Sequence, residues 1–405
     1  MKRRTWVMLT SLVLAGSCSS GPGERMNEPP RWGEVTLVED LRIGRSVGPP
    51  EYMFALITDI AQHPDGSVFI VDSSRVSTFV RRYDRDGNFL NDVGRMGQGP
   101  GEFQRVAAIG ITPDGDVALW DTRSRRLTIM SPDGSYLDSL NADSGLNSSQ
   151  MLLIDASGNF YVRTWKEDPE DGAAQRLNGY LKYSPAGELI ETIWLPRSGL
   201  MRGESWVTQT PGGLVYPFVR QTLAAVTTRG VLVSGANERY VLQYTRGGEL
   251  QFRVERPWEP IELHAEEYAE WVARQAAISG QAARTSAPVN APPTDRYPPI
   301  PETKPAFMSL SPGVDSTVWV RRYTAAHKRT DLTPRDPGDN RPRMTWWEYP
   351  TFDVFGLEGE FLGTVELPHE IAPVVFHSDY IWTVRSDEQG ENVAVRFRVV
   401  KSGAS

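Results

Sequence analysis

The stretch DIAQHPDGSVFIVDSSRVSTFVRRYDRDGNFLNDVG, Asp59 to Gly94, has a near-copy in AIGITPDGDVALWDTRSRRLTIMSPDGSYLDSL, Ala108 to Leu140. Both run in one order: an apolar strand, a Pro-Asp-Gly turn, and an apolar strand ending in aspartate. An Arg-containing turn, a third strand, an Asp-Gly turn and a last alternating strand follow. Glycine supplies the positive φ that a tight hairpin demands, and the aspartate side chain can bond its own backbone. Each unit therefore reads as a four-stranded antiparallel meander. The turn glycines Gly66 and Gly115, and likewise Gly87 and Gly134, recur at roughly 50-residue spacing, which suits a propeller blade.

Working outward, looser copies follow in MLLIDASGNFYVRTW with GYLKYSPAGELIETIWL, and in TLAAVTTRGVLVSGANERYVLQYTRGGELQFRVERP. A fifth unit is split by a long polar loop, and the sixth, from Ala372 to Val400, offers only three clear strands. Its missing outer strand has a candidate at the far end of the chain, EVTLVEDLRI (Glu34 to Ile43), whose pairing would close the ring and leave no sheet edge unmated. The composition agrees: the chain is rich in Gly, Pro, Trp and Tyr and poor in long Ala/Leu/Glu/Lys blocks, which favours short strands over bundled helices. The expected fold is all-β, a six-bladed β-propeller of four-stranded blades.

Between the first two units lies VGRMGQGPGEF, Val93 to Phe103. A phosphate-binding loop would need a helix start behind it, and its P-loop version a Lys followed by Ser or Thr. Neither is present, and Glu102 would repel phosphate. The segment is instead expected to carry the chain from one blade to the next, with Gly94, Gly97, Gly99 and Gly101 making the turn, Pro100 stiffening it and Phe103 anchoring it between sheets. Asp72 and Asp121, each ending a second strand and followed by arginines, are assigned to the same architecture.

With these elements in place, Val71-Asp72, Arg75-Val76, Trp120-Asp121, Arg126-Leu127 and the Gly-rich crossing, the chain resembles the NHL-repeat and related six-bladed β-propellers. More broadly, it is similar to lipid-anchored propeller proteins of bacteria. The match is specific over Asp59 to Leu140 and looser elsewhere. Propeller hydrolases, lactonases and lyases of this kind generally place metal-binding or acid/base side chains at the starts of the inner strands, so the resemblance directs attention there.

The first residues read as a targeting segment, 1–17: Lys2, Arg3 and Arg4 precede an apolar run too short to span a bilayer. Small residues stand immediately before Cys18, the sole cysteine, and this resembles a lipoprotein signal in which Cys18 becomes the lipidated first residue. A Gly/Pro/Ser-rich tether is expected over 18–33 and the propeller over 34–402. The address implied is export and lipid anchoring in the cell envelope, in the outer membrane or periplasm of a diderm organism. One cysteine excludes an internal disulfide framework. The net charge of −8, more acidic still without the leader, argues against nucleic acid as a partner.

Two insertions interrupt the repeat. Residues 259–305 begin with helical composition, in which Tyr268, Trp271, Val272 and Ile278 can share a face, and continue into a Pro-rich loop. Residues 324–343 form a basic loop. Among residues expected at inner-strand starts only Asp59 is a carboxylate, and the five histidines show no ligand spacing. No metal site and no cofactor are therefore expected. The expected function is non-catalytic binding of a protein or extended ligand by the crossing-loop face, with Gln150, Tyr216, Phe218 and Arg220 as candidate contact residues. The alternative is a channel-mouth hydrolase or lyase using a divalent metal, with Asp59 and His369 as its candidate groups.

Overall fold

The structure, a computed structural model, describes residues 23–26, 29–74, 76–141, 152–167, 176–196, 200–202, 205–207, 218, 220–278, 301–329, 342, 344–368, 371–386 and 392–403. Among the described residues its strands form five four-stranded sheets and one of five strands, besides short two-stranded ribbons. Strand β1 is Val35–Ile43. Blade one comprises β2 Ile57–Gln62, β3 Val68–Ser73, β4 Thr78–Tyr83 and β5 Phe89–Asp92. Blade two follows with β6 Val106–Ile111, β7 Val117–Asp121, β8 Arg126–Met130 and β9 Tyr136–Asn141. Blade three is β10 Leu152–Ile154, β11 Phe160–Glu167, β12 Arg176–Tyr183 and β13 Leu189–Trp194. Blade four is β14 Thr222–Val226, β15 Leu232–Ala236, β16 Val241–Arg246 and β17 Glu249–Glu255. Blade five is β18 Phe307–Pro312, β19 Val318–Arg322, β20 Thr351–Phe355 and β21 Phe361–Glu366. Blade six contains β22 Ala372–Phe376, β23 Tyr380–Ser386 and β24 Asn392–Lys401, and β1 completes it.

The ring closes as the sequence implies. Strand β1 pairs antiparallel with β24 from Val35↔Lys401 to Ile43↔Ala394, so the outer strand of the last blade comes from the start of the chain. The closure begins before residue 34, earlier than the expected tether boundary. Trp32 is buried against Trp319, with ring centroids 6.4 Å apart, and Gly403 donates its amide to the Trp32 carbonyl. Gly23–Met26 adds a fifth, parallel strand to the outer edge of blade four beside β17. A tryptophan next to a strand is readily recruited by an apolar seam, which the polar composition around it concealed.

The apolar residues do not form one central core. Among the described residues they divide into wedges between neighbouring blades. Phe69, Val80, Phe103, Val106 and Leu119 fill the seam between blades one and two. Trp319, Phe352, Phe376 and Ile381 fill that between five and six, and Ile43, Tyr83 and Trp382 that between six and one. This is why the inner three strands of a blade are apolar on both faces, whereas the outer strands β9 and β13 alternate or face solvent.

The first hairpins of blades one to five repeat in detail. Gly66 and Gly115 sit at φ +91° and +88°, closing their turns with amide bonds to His63 and Thr112. Ser316 occupies the corresponding place in blade five at φ +69°. There its hydroxyl meets that of Thr228 on the neighbouring blade, a contact that helps hold a non-glycine residue in a conformation it rarely adopts.

Candidate functional site on the crossing face

In an antiparallel meander the inner strand starts, and the second-to-third strand turns, lie at one end of every blade, together with the crossings between blades. Both insertions arise at that end: one from the crossing between blades four and five, the other from the β19–β20 connection. The sequence places them far apart; the ring brings them together.

The first insertion is closed at its base by a short antiparallel ribbon, Ile261–Glu262 with Thr303–Lys304. It rises into the helix α1, Ala265–Ile278. Glu266 and Glu267 in its first turn suit the positive end of the helix dipole. Tyr268, Trp271 and Val272, three of the four residues of the expected face, pack on Phe218, Leu263, Tyr323 and Met308; the Ile278 side chain lies outside the described residues. The second insertion carries a ribbon pairing His327–Lys328 with Trp346–Trp347.

Two carboxylates of α1 join the two insertions directly, and a third does so through Lys304. Glu266 receives Lys328 Nζ at 2.6 Å, Glu270 accepts the amides of Thr345 and Trp346, and Glu267 receives Lys304 Nζ at 2.6 Å. Lys304 is wholly buried and also reaches Glu348 at 2.8 Å and the Thr324 carbonyl at 3.0 Å. Burial pushes the Glu267 carboxyl above its ordinary range, although Lys304 pulls in the other direction. The result is a cap over blades four and five, locked at its base by one lysine between two carboxylates. His264 stacks on Trp346 at 4.5 Å.

Other expected residues fall as follows. Phe218 is not open to a ligand as the contact residue it was expected to be: it is buried beneath the cap, edge-on to Trp271 at 6.1 Å and 5.3 Å from Tyr323. An aromatic ring so placed gains more from apolar contact than from facing water. Arg220 lies 3.8 Å from Glu238 in an exposed pair. Gln150, Tyr216, Cys18 and His369 lie outside the described residues.

Asp59 stands on the inner strand of blade one. Its carboxylate accepts the amide of Ile60 at 2.9 Å and that of Ile109, on the open edge of the next inner strand, at 2.9 Å. Burial pushes its pKa up to about 7, against the pull of the Ile109 and Ile60 amides. Among the described residues no three His, Cys, Asp or Glu side chains converge as metal ligands would.

Asp121 accepts the amides of Gln104, Arg105, Arg123 and Ser124. Burial opposes its ionisation, but the amides of Gln104, Ser124 and Arg123 outweigh it and hold the carboxyl below its usual range. Asp72 accepts the Leu56 amide at 2.8 Å and lies 3.5 Å from Arg81. Blade five uses the same two positions with the charges exchanged, Arg322 facing Asp353 at 3.4 Å.

The residues of the cap that the sequence did not single out, Lys304, Glu267, Glu270 and Glu348, left one trace. Glu267 is four residues before Trp271, so it falls on the apolar face of α1, where a carboxylate needs a partner.

Residues 51–176 match the DUF5128 family model, described as a 6-bladed beta-propeller. No curated protein matches the chain. Among solved structures it is similar to a Bacteroides fragilis NCTC 9343 protein named for inferred export, at 11% identity over 93% of this chain and 99% of that one, TM-score 0.48. A DUF4221 family member from Bacteroides vulgatus ATCC 8482 is 11% identical over 92% of this chain and 100% of that one, TM-score 0.47. Virginiamycin B lyase from Staphylococcus aureus is 9% identical over 90% and 99%, TM-score 0.39. The sheets and the family match together identify the chain as a six-bladed β-propeller.

Proposed function

We propose that the protein is an exported, lipid-anchored propeller that binds a protein or another extended ligand on its crossing face and performs no chemistry of its own. The observation carrying this reading is the cap. Two insertions distant in sequence are joined by Glu266 and Glu270 of one helix and by a buried lysine between Glu267 and Glu348, a shaped surface that ring stability does not need. Repeat folds suit this role because stacked sheets hold the ring while loops vary. The reading needs no cofactor. Asp59 has both oxygens engaged by backbone amides, which disfavours a metal hydrolase or lyase built on it. The membrane is a second partner, through lipid on Cys18, and the acidic charge argues against nucleic acid.

The test is capture from membranes by the soluble chain from Pro29 onward, with and without the cap. Replacing Leu263 to Glu302 by a short turn keeps the ribbon at the insertion base. Loss of a captured partner with melting of the ring unchanged supports the reading; equal capture removes the cap from it. A stoichiometric metal in the purified protein would overturn the non-catalytic part.

A further inference from the structure

Two clefts open where a crossing meets the second-to-third strand turn of the following blade. One, of about 340 Å³, lies between blades three and four and includes Glu238 and Arg239. Its charges are paired, Arg239 with Glu255 and Glu238 with Arg220. The other, of about 410 Å³, lies between blades one and two, lined by Ser74, Val76, Met96, Gln104, Arg105 and Arg123 among others. Here the guanidiniums of Arg105 and Arg123 are exposed and, among the described residues, meet no acidic side chain.

Asp121 fixes the backbone beneath both arginines, accepting the amides of Gln104, Arg105, Arg123 and Ser124. Its two oxygens are filled by those amides, so it anchors the arginines without engaging their forks. Two arginines whose backbones are fixed by one carboxylate can turn their guanidiniums to a planar carboxylate, and the fixed backbone lowers the ordering cost of binding. Beside them, Val76 is 85% exposed and Met96 47%, a paired apolar surface next to the cationic one. The Ser74 hydroxyl is bonded within its own turn to Ser77, and the Gln104 side-chain amide adds a group able to meet peptide polar atoms.

We propose that this cleft is a binding site for the C-terminal carboxylate of a peptide with an apolar last side chain, the carboxylate on Arg105 and Arg123 and the side chain against Val76 and Met96. The site goes beyond the cap and does not depend on it, because it belongs to blades one and two and the cap to blades four and five.

The test is calorimetric titration of the full chain with acetyl-Ala-Leu-Leu as the free acid, its C-terminal amide, and inorganic phosphate. The free acid is expected to bind, with the amide and phosphate weaker by about tenfold or more. Arg105→Gln and Arg123→Gln are each expected to weaken the free acid by about tenfold with the melting temperature unchanged. The cap-deleted chain is expected to bind it as the full chain does, so failure of the cap reading leaves this result standing. Absence of binding, equal binding of acid and amide, phosphate binding as tight as the peptide, or affinity unchanged in both variants would each overturn the proposal.

Discussion

The Glu102 carboxylate accepts the amides of Gln98 and Gly99 and pairs with Arg95 at 2.8 Å. The glycine-rich crossing thus folds around its own anion. Gly94 is the position least able to change, at φ +71° with a Cβ site 2.8 Å from the Phe103 ring and 2.9 Å from the Gly101 carbonyl. Gly94→Ala is expected to lower stability by about 2 kcal/mol or more, read by chemical denaturation. Asp59 gives a pH test. Its folded pKa, about 7, lies above its unfolded value near 4. The folded state therefore holds the extra proton between those values, and the stability this group supplies is full below pH 4 and lost as pH rises through 7. Asp59→Asn is expected to flatten that fall, gaining on the order of 2 kcal/mol relative to wild type between pH 5 and pH 8. A parallel pair of stability curves would contradict the shifted pKa.

At the scale of elements, the helix α1 was legible from composition and spacing because its apolar residues recur at helical period. Its docking was not. Lys304 sits in a Pro-rich segment, and nothing in its neighbourhood names Glu267 or Glu348, 37 and 44 residues away. Removing one member of a buried ionic group leaves the others uncompensated, which typically costs about 3–5 kcal/mol. Lys304→Ala is accordingly expected to release α1, seen as faster amide exchange over Ala265 to Arg274 while the inner strands of blade one stay protected. Lys304→Met combined with Glu267→Gln and Glu348→Gln removes the charges together and is expected to recover much of that protection.

At the scale of the whole molecule, stability depends on a ring with no free sheet. Ile43 is 1% exposed in the seam between blades six and one. Ile43→Ala is expected to cost about 2–4 kcal/mol and to lower a single unfolding transition. Deleting residues 34–43 is expected to expose the edge of β24 and produce self-association, followed by light scattering. Cys18→Ser is expected to abolish incorporation of labelled fatty acid and release the chain from membranes.

The sequence by itself determined the blade, because turn glycines, terminal aspartates and alternating strands are local signals, each dictated within a few residues by backbone sterics. It also determined the ring, since three strands at one end and one at the other leave a single economical pairing. Only the tertiary structure decided what stands on the ring. Phe218 moved from candidate contact residue to the buried base of the cap, Trp32 from tether to seam, and Arg105 and Arg123 from separate segments to one cleft above Asp121. Those placements depend on contacts between segments that share no local pattern, and burial, not periodicity, selects them.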